Sequence, residues 1–287
     1  MGYRGSEGPA AARVLGGKLQ ALRLAGMATG LMLLAGAASA EEAATFLGFR
    51  LLNLENQEVR WQTPAFGKSA VITYAFATRS IQTRGARNCA AMLPPEHAYE
   101  PSHISTKQFR AEVAAAFRMW ETVADIKFRE TRNLSSAGIV IGAQAVPVGR
   151  AFTNVELKPG RDDKKVIGRS LICLNPQQPW KIGFDGRLGV YDLRYTIAHE
   201  IGHAIGLDHP SAAGQLMSYR YDEKQTGLQQ GDIKGAVLLY GPRASTRRFA
   251  NARSAPPGTT APEADSGWPF GIGAKRNAPS PKAVDPR

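Results

Sequence analysis

From His199 to His209 the chain reads His-Glu-Ile-Gly-His-Ala-Ile-Gly-Leu-Asp-His. His199 and His203 stand four residues apart, so on a helix their imidazoles leave one face about a turn apart. Two neutral imidazoles at that distance can take adjacent corners of a zinc tetrahedron. Gly206 lets the chain turn sharply off the helix end, which can swing His209 back as a third ligand. The fourth corner then stays open for water, the arrangement of a zinc that does chemistry rather than one that only holds a fold. Glu200, next to the first ligand, can reach a metal-bound water without ligating, and is predicted to act as general base. Asp208 reads as an acid that supports the ligands from outside or plays a structural part. Three of the five histidines fall in this one run. The other two, His97 and His103, lie in a polar stretch and read as surface residues.

Such a site needs a helix under its first two histidines. Tyr191 to Ile205 is predicted to be that helix, ended by Gly206. Upstream, Ser105 and Gln108 form a capping box for a second helix. Phe109, Val113, Phe117, Trp120 and Val123 share one face of it, to about Ala124. A third, short helix is predicted from Gly231 to Tyr240. Strands are predicted at Ser69 to Phe76, Ile126 to Glu130, Gly138 to Gly142, Ala151 to Val155 and Val166 to Leu174. A charged turn, Lys158 to Lys165, separates the last two. Residues 79 to 104, with Pro94-Pro95 in the middle, read as a long loop. The order is strand, helix, several strands, helix, helix, within one domain of about 180 residues.

The chain has 287 residues, 43% of them apolar, enough for a proper core and too many for a disordered chain. Residues 1 to 40 have the layout of a secretory signal peptide: a basic leader, an apolar stretch from Leu24 to Ala37, then Ala38-Ser39-Ala40. The apolar stretch is short for a membrane span and is broken by glycines. Export to the medium, or to the periplasm or cell envelope, is therefore expected, with no membrane anchor after cleavage. Residues 41 to 58 are a short lead-in, and 59 to 242 the expected domain. Residues 243 to 287, rich in Pro, Ala, Gly and Arg, read as a disordered basic tail. Of the net charge of +12, the leader holds +3 and the tail +5, so the body is only mildly basic. No specific nucleic-acid partner is expected. Cys89 and Cys173 allow one disulfide in an oxidising compartment. Two other readings stay open: both free, or one a thiolate that reaches the zinc.

The eleven residues from His199 match, position for position, the His-Glu-x-x-His-x-x-Gly-x-x-His pattern of the metzincin metalloproteases. Leu216-Met217-Ser218, eight residues past His209, resembles their methionine turn. The Gly-Leu-Asp-His ending, the short gap to Met217 and Asp232-Ile233-Lys234-Gly235 resemble the matrixin branch, the matrix-metalloproteinase type. So do Ala116-Phe117-Arg118-Met119-Trp120 and Ile139-Val140-Ile141-Gly142. This resemblance implies an α+β, zincin-like catalytic domain: a mixed twisted sheet, an active-site helix, a methionine turn and a C-terminal helix. It implies a zinc endopeptidase, acting as a monomer on a protein or peptide substrate laid along an edge strand. The strand ending at Leu174, or the loop after it, is the expected edge. Met217 becomes an apolar floor beneath the metal, and Tyr219 and Tyr221 candidate walls of the specificity pocket. Tyr219 replaces the proline usual there, so the pocket's shape does not carry over, and Gly231 replaces a usual aspartate. No histidine lies between His103 and His199, so one catalytic zinc is expected and a second, structural zinc is not. Calcium is left open, because the usual calcium loops are not recognisable. Trp180 reads as a core residue more readily than as part of the cleft. A zinc-binding or adhesive protein that no longer cuts is the alternative; the intact Glu200 argues against it.

Overall fold

Alternating apolar runs at Ala70, Ile72 and Tyr74 start the sheet of this protein, seen in a computed structural model that describes residues 48–63, 69–161 and 164–243. The expected leader, and the tail beyond Arg243, lie outside the described residues. Strand β1 (Ala70–Phe76) leads through helix α1 (Thr106–Val123) to β2 (Ile126–Glu130) and β3 (Ile139–Gln144). Then come β4 (Ala151–Pro159), β5 (Lys165–Leu174), helix α2 (Leu193–Ala204) and helix α3 (Gln230–Tyr240). The main strand order is β2-β1-β3-β5-β4. The first four run parallel, with Tyr74 opposite Ile139 and Ser170 also opposite Ile139. β4 runs antiparallel along β5, from Ala151 opposite Leu174 to Pro159 opposite Lys165. The fold is thus α+β with a mixed sheet.

This register corrects one expectation. The strand ending at Leu174 is interior, flanked on both sides, and β4 is the edge. The reason is visible in its burial: Ser170 to Leu174 is buried throughout, while β4 is half-exposed along its first seven residues. A run apolar on both faces belongs inside a sheet.

Helix α1 begins as its capping box requires. The Ser105 side chain accepts from Gln108 N and the Gln108 side chain accepts from Ser105 N. Its apolar face carries Phe109, Val113, Phe117 and Trp120 into the core. Burying each phenylalanine is worth about 1.5–3 kcal/mol. Trp120 Nε1 donates to Ala198 O at 2.9 Å and so fastens α1 to α2.

Two segments differ from the expected layout. Within 79 to 104 the chain forms a hairpin, Ile81–Gln82 with Ala91–Leu93, and a short helix, Glu96–Tyr99. The hairpin joins the sheet where Met92 pairs with Gln144. A Cβ on Gly142 would sit 2.4 Å from Met92 Cγ, so that approach needs a glycine. The described part of the lead-in, residues 48–58, is also part of the fold: Phe49 and Leu51 are buried, and Arg50–Leu51 pairs with Leu207–Asp208. A disulfide joins Cys89 in the hairpin to Cys173 in β5, so neither sulfur is a thiolate. Trp180 lies in the core, 3% exposed.

Candidate metal centre and cleft

Asp192 opens α2 by accepting from Tyr195 N at 2.8 Å, as an N-cap carboxylate does. The helix ends at Gly206, whose φ of +109° few other residues adopt. A Cβ there would stand 2.3 Å from Val59 O, so the chain can turn at this point only without a side chain. The turn returns His209 towards His199 and His203.

The three rings converge through their Nε2 atoms. His209 Nε2 lies 3.1 Å from His199 Nε2 and 3.3 Å from His203 Nε2. Two ligands of a tetrahedral zinc, each about 2.0–2.1 Å from it, lie roughly 3.3 Å apart, so the spacing fits the metal. The other ring nitrogens are already engaged. His199 Nδ1 meets Leu216 O and His203 Nδ1 meets Leu207 O, both at 2.8 Å. A carbonyl can only accept, so Nδ1 carries the proton and Nε2 offers its lone pair. Burial, with the neighbouring rings, holds the pKa of His199 well below its usual value. His203 is lowered by burial, and His209 is lowered to about 4, chiefly by burial. Neutral rings are what a divalent metal requires. His199, His203 and His209 are the one such donor group of three or more among the described residues.

Behind the three histidines, Asp208 Oδ1 accepts from His209 N at 2.7 Å and stands 3.6 Å from His209 Nδ1. Its other oxygen pairs with Arg50 Nε at 3.4 Å. Met217 lies buried under α2: a Cβ on Gly202 would fall 2.1 Å from Met217 Sδ. The methionine turn hangs from Asp232. This carboxylate, 1% exposed, accepts from Leu216 N at 2.8 Å, Met217 N at 3.0 Å and Gln229 N at 2.8 Å. Gly231 abuts Gly48, where a Cβ would lie 1.9 Å from Gly48 O, so no aspartate could stand there.

Glu200 is buried, 5% exposed, and burial pushes its pKa up to about 7. Its Oε2 accepts from Thr153 Oγ1 at 2.7 Å, and the same hydroxyl lies 3.0 Å from Glu200 O. Both the metal centre and Glu200 open into one cleft of about 1280 Å³. Residues Ala151 to Val155 of the edge strand form one wall of it, and Tyr219 and Tyr221 line it too. Tyr219 is 78% exposed, with its ring 5.3 Å from that of His209. Tyr221 is held in place: its hydroxyl donates to Glu223 Oε1 at 2.8 Å and accepts from Asp192 N at 3.0 Å. Glu223 in turn joins Asp185 around the Lys181 ammonium. Thr153 and Arg150, both on this cleft, carry no spacing pattern that ties them to the histidines, so sequence reasoning passed over them.

The sequence model of the matrixin family matches residues 97–241. Similar proteins include metalloendoproteinase 2-MMP of Arabidopsis thaliana, 25% identical over 187 residues, covering 60% of this chain and 46% of that protein. Matrix metalloproteinase-19 of Mus musculus is 30% identical over 153 residues, 52% of this chain and 28% of its own length. Metalloendoproteinase 1 of Glycine max is 26% identical over 162 residues, half of each chain. The chain thus spans half or less of the length of these relatives. The family match takes in the helix with its two histidines, the returning His209, the methionine turn and the sheet edge beside them, just over half of the chain, which therefore belongs to the matrixin family.

Proposed function

We propose that this protein is an exported zinc-dependent endopeptidase, with His199, His203 and His209 as the metal ligands and Glu200 as general base. The observation that carries this reading is the convergence of three Nε2 atoms beside a buried carboxylate in an open cleft. Zinc held there would supply a Lewis acid that acidifies its bound water and polarises the scissile carbonyl. Among the described residues β4 pairs with a strand on one side only, so its other edge offers backbone N–H and C=O groups to an extended peptide, which would add to the sheet as one more strand. Glu200 takes the proton of the attacking water on its carboxylate and passes it to the leaving amine nitrogen. Thr153 keeps that carboxylate facing the cleft. Asp208 orients His209, and Leu216 and Leu207 orient the other two rings.

One zinc per chain is part of the proposal, as is a peptide or protein substrate. Export rests on the basic, apolar and small-residue order of residues 1 to 40. N-terminal sequencing of the exported protein tests it: a start at Glu41 fits, and an intact leader does not. The catalytic reading is tested by hydrolysis of denatured casein by the zinc-loaded full chain, with chelation and with Glu200→Gln as controls. Cleavage that survives either control would sink it.

A further inference from the structure

Arg150 stands at the head of the edge strand and lines the cleft with His199 and Glu200. Its guanidinium lies over the ring of Tyr191, 4.7 Å from the centroid, and near that of Tyr221, 5.7 Å away. Nη2 also reaches Tyr219 O at 3.5 Å, the outer limit of a hydrogen bond. The platform is held on several sides. Tyr221 is pinned at its hydroxyl, and its ring packs edge-on against Tyr191 and Tyr195, with centroids 5.2 and 4.9 Å away. What Arg150 lacks is a carboxylate: among the described residues none lies within 4.0 Å of it, whereas Arg194, Arg110 and Arg187 each have one. Nor do Arg87 and Arg220, the other two arginines of the cleft, have such a partner. Arg87 is placed beside the edge strand, its backbone N donating to Asn154 Oδ1 at 3.0 Å. The cleft's two acids are already committed, Glu200 to the reaction and Asp208 to Arg50 and His209. Three arginines therefore line the cleft, and among the described residues none of them is ion-paired to a carboxylate.

We infer that the subsite beside the metal centre takes an acidic side chain, so that this enzyme cuts acidic peptides next to an aspartate or glutamate. The inference rests on the endopeptidase reading and adds its substrate class. A carboxylate of the substrate would meet the fork of Arg150 in two parallel hydrogen bonds, on the side of the guanidinium that the tyrosines leave free. A charge-assisted pair of this kind separates glutamate from its neutral isostere by roughly tenfold or more. Arg87, about four residues along the strand from Arg150, would favour a second acid further along an extended chain.

The test uses the zinc-loaded full chain on peptides that differ only in Glu, Gln or Lys beside the bond cut, chosen after a mixed peptide library has located the preferred flank. Wild type should cleave the Glu peptide at least about tenfold faster in kcat/KM than the Gln peptide. Arg150→Met, which keeps the cover over the tyrosines, should lose that ratio. Arg150→Glu should reverse it in favour of Lys. Equal rates on Glu and Gln by wild type overturn the inference while leaving the endopeptidase reading intact. So does a Glu preference that persists in Arg150→Met, which would reduce Arg150 to packing. A wild type that cuts no peptide fails at the earlier step and takes the inference with it.

Discussion

Thr153 shares its hydroxyl between the backbone and the carboxylate of Glu200, and one proton cannot serve both acceptors fully. With the bond to Oε2 made, the carboxylate is held towards the cleft. Thr153→Val keeps the shape and removes that bond. It should lower kcat roughly tenfold with KM little changed, and Thr153→Ser should restore it. Unchanged kcat, or a loss confined to KM, would deny Thr153 this positioning role. The histidines make a second prediction. In the metal-free protein all three titrate below the usual 6.5, His209 at about 4. Between those values the unfolded chain takes up protons that the folded chain refuses. Their contribution is therefore complete above 6.5 and is lost as pH falls. Glu200 runs the other way: raised to about 7 from 4.5, it favours folding at low pH and partly offsets one histidine. The urea midpoint of chelated protein should fall from pH 6.5 to 4, more steeply than in a variant with His199, His203 and His209 all replaced by Gln. Equal slopes would contradict the assignment. The convergence of His199, His203 and His209 was legible because fixed offsets on a helix translate directly into positions in space. Thr153 and Arg150 were not, because residues about fifty positions upstream reach the cleft beside Glu200 only through the folded sheet.

At the scale of elements, the proposed metal centre depends on a turn outside the histidine cluster. Asp232 accepts from Leu216 N and Met217 N, and Leu216 O fixes the ring of His199. Asp232→Ala should leave the two buried N–H groups of Leu216 and Met217, and that of Gln229, without their acceptor and free that carbonyl to move. Zinc affinity, read by competition with a chelating dye, should fall on the order of 10–100-fold, with Asp232→Asn less affected. An alanine variant that binds zinc as tightly as wild type would remove Asp232 from this chain of support. Helix α1 was readable in advance because its capping box and apolar face are both local. The edge strand was not identified, although β4 and β5 were each foreseen, since pairing order is a non-local property. The buried run from Ser170 to Leu174 held the clue, being apolar on both faces where an edge strand would alternate. Residues 79 to 104 looked like a loop because polar and proline-rich sequence hides short strands. What makes them structure is their contacts with β3 and the link from Cys89 to Cys173.

Across the whole molecule, distant segments close the site from several directions. Arg50 reaches Asp208 behind His209, and Leu51 pairs with Leu207 beside the turn at Gly206. Such contacts span most of the described chain, and no local pattern announces them. They join Arg50 and Leu51, upstream of the boundary expected at Val59, to the segment that carries His209. The architecture leads from sheet edge to cleft to metal, and its central claim is that Glu200 does the proton transfer while the histidines alone hold the zinc. The direct measurement is hydrolysis of denatured casein by wild type and Glu200→Gln, each brought to equal metal content and checked by elemental analysis. The account predicts one zinc per chain in both proteins, cleavage by wild type that chelation abolishes and zinc restores, and a loss of at least about a hundredfold in the glutamine variant. Equal cleavage by the two proteins at one zinc each would contradict it.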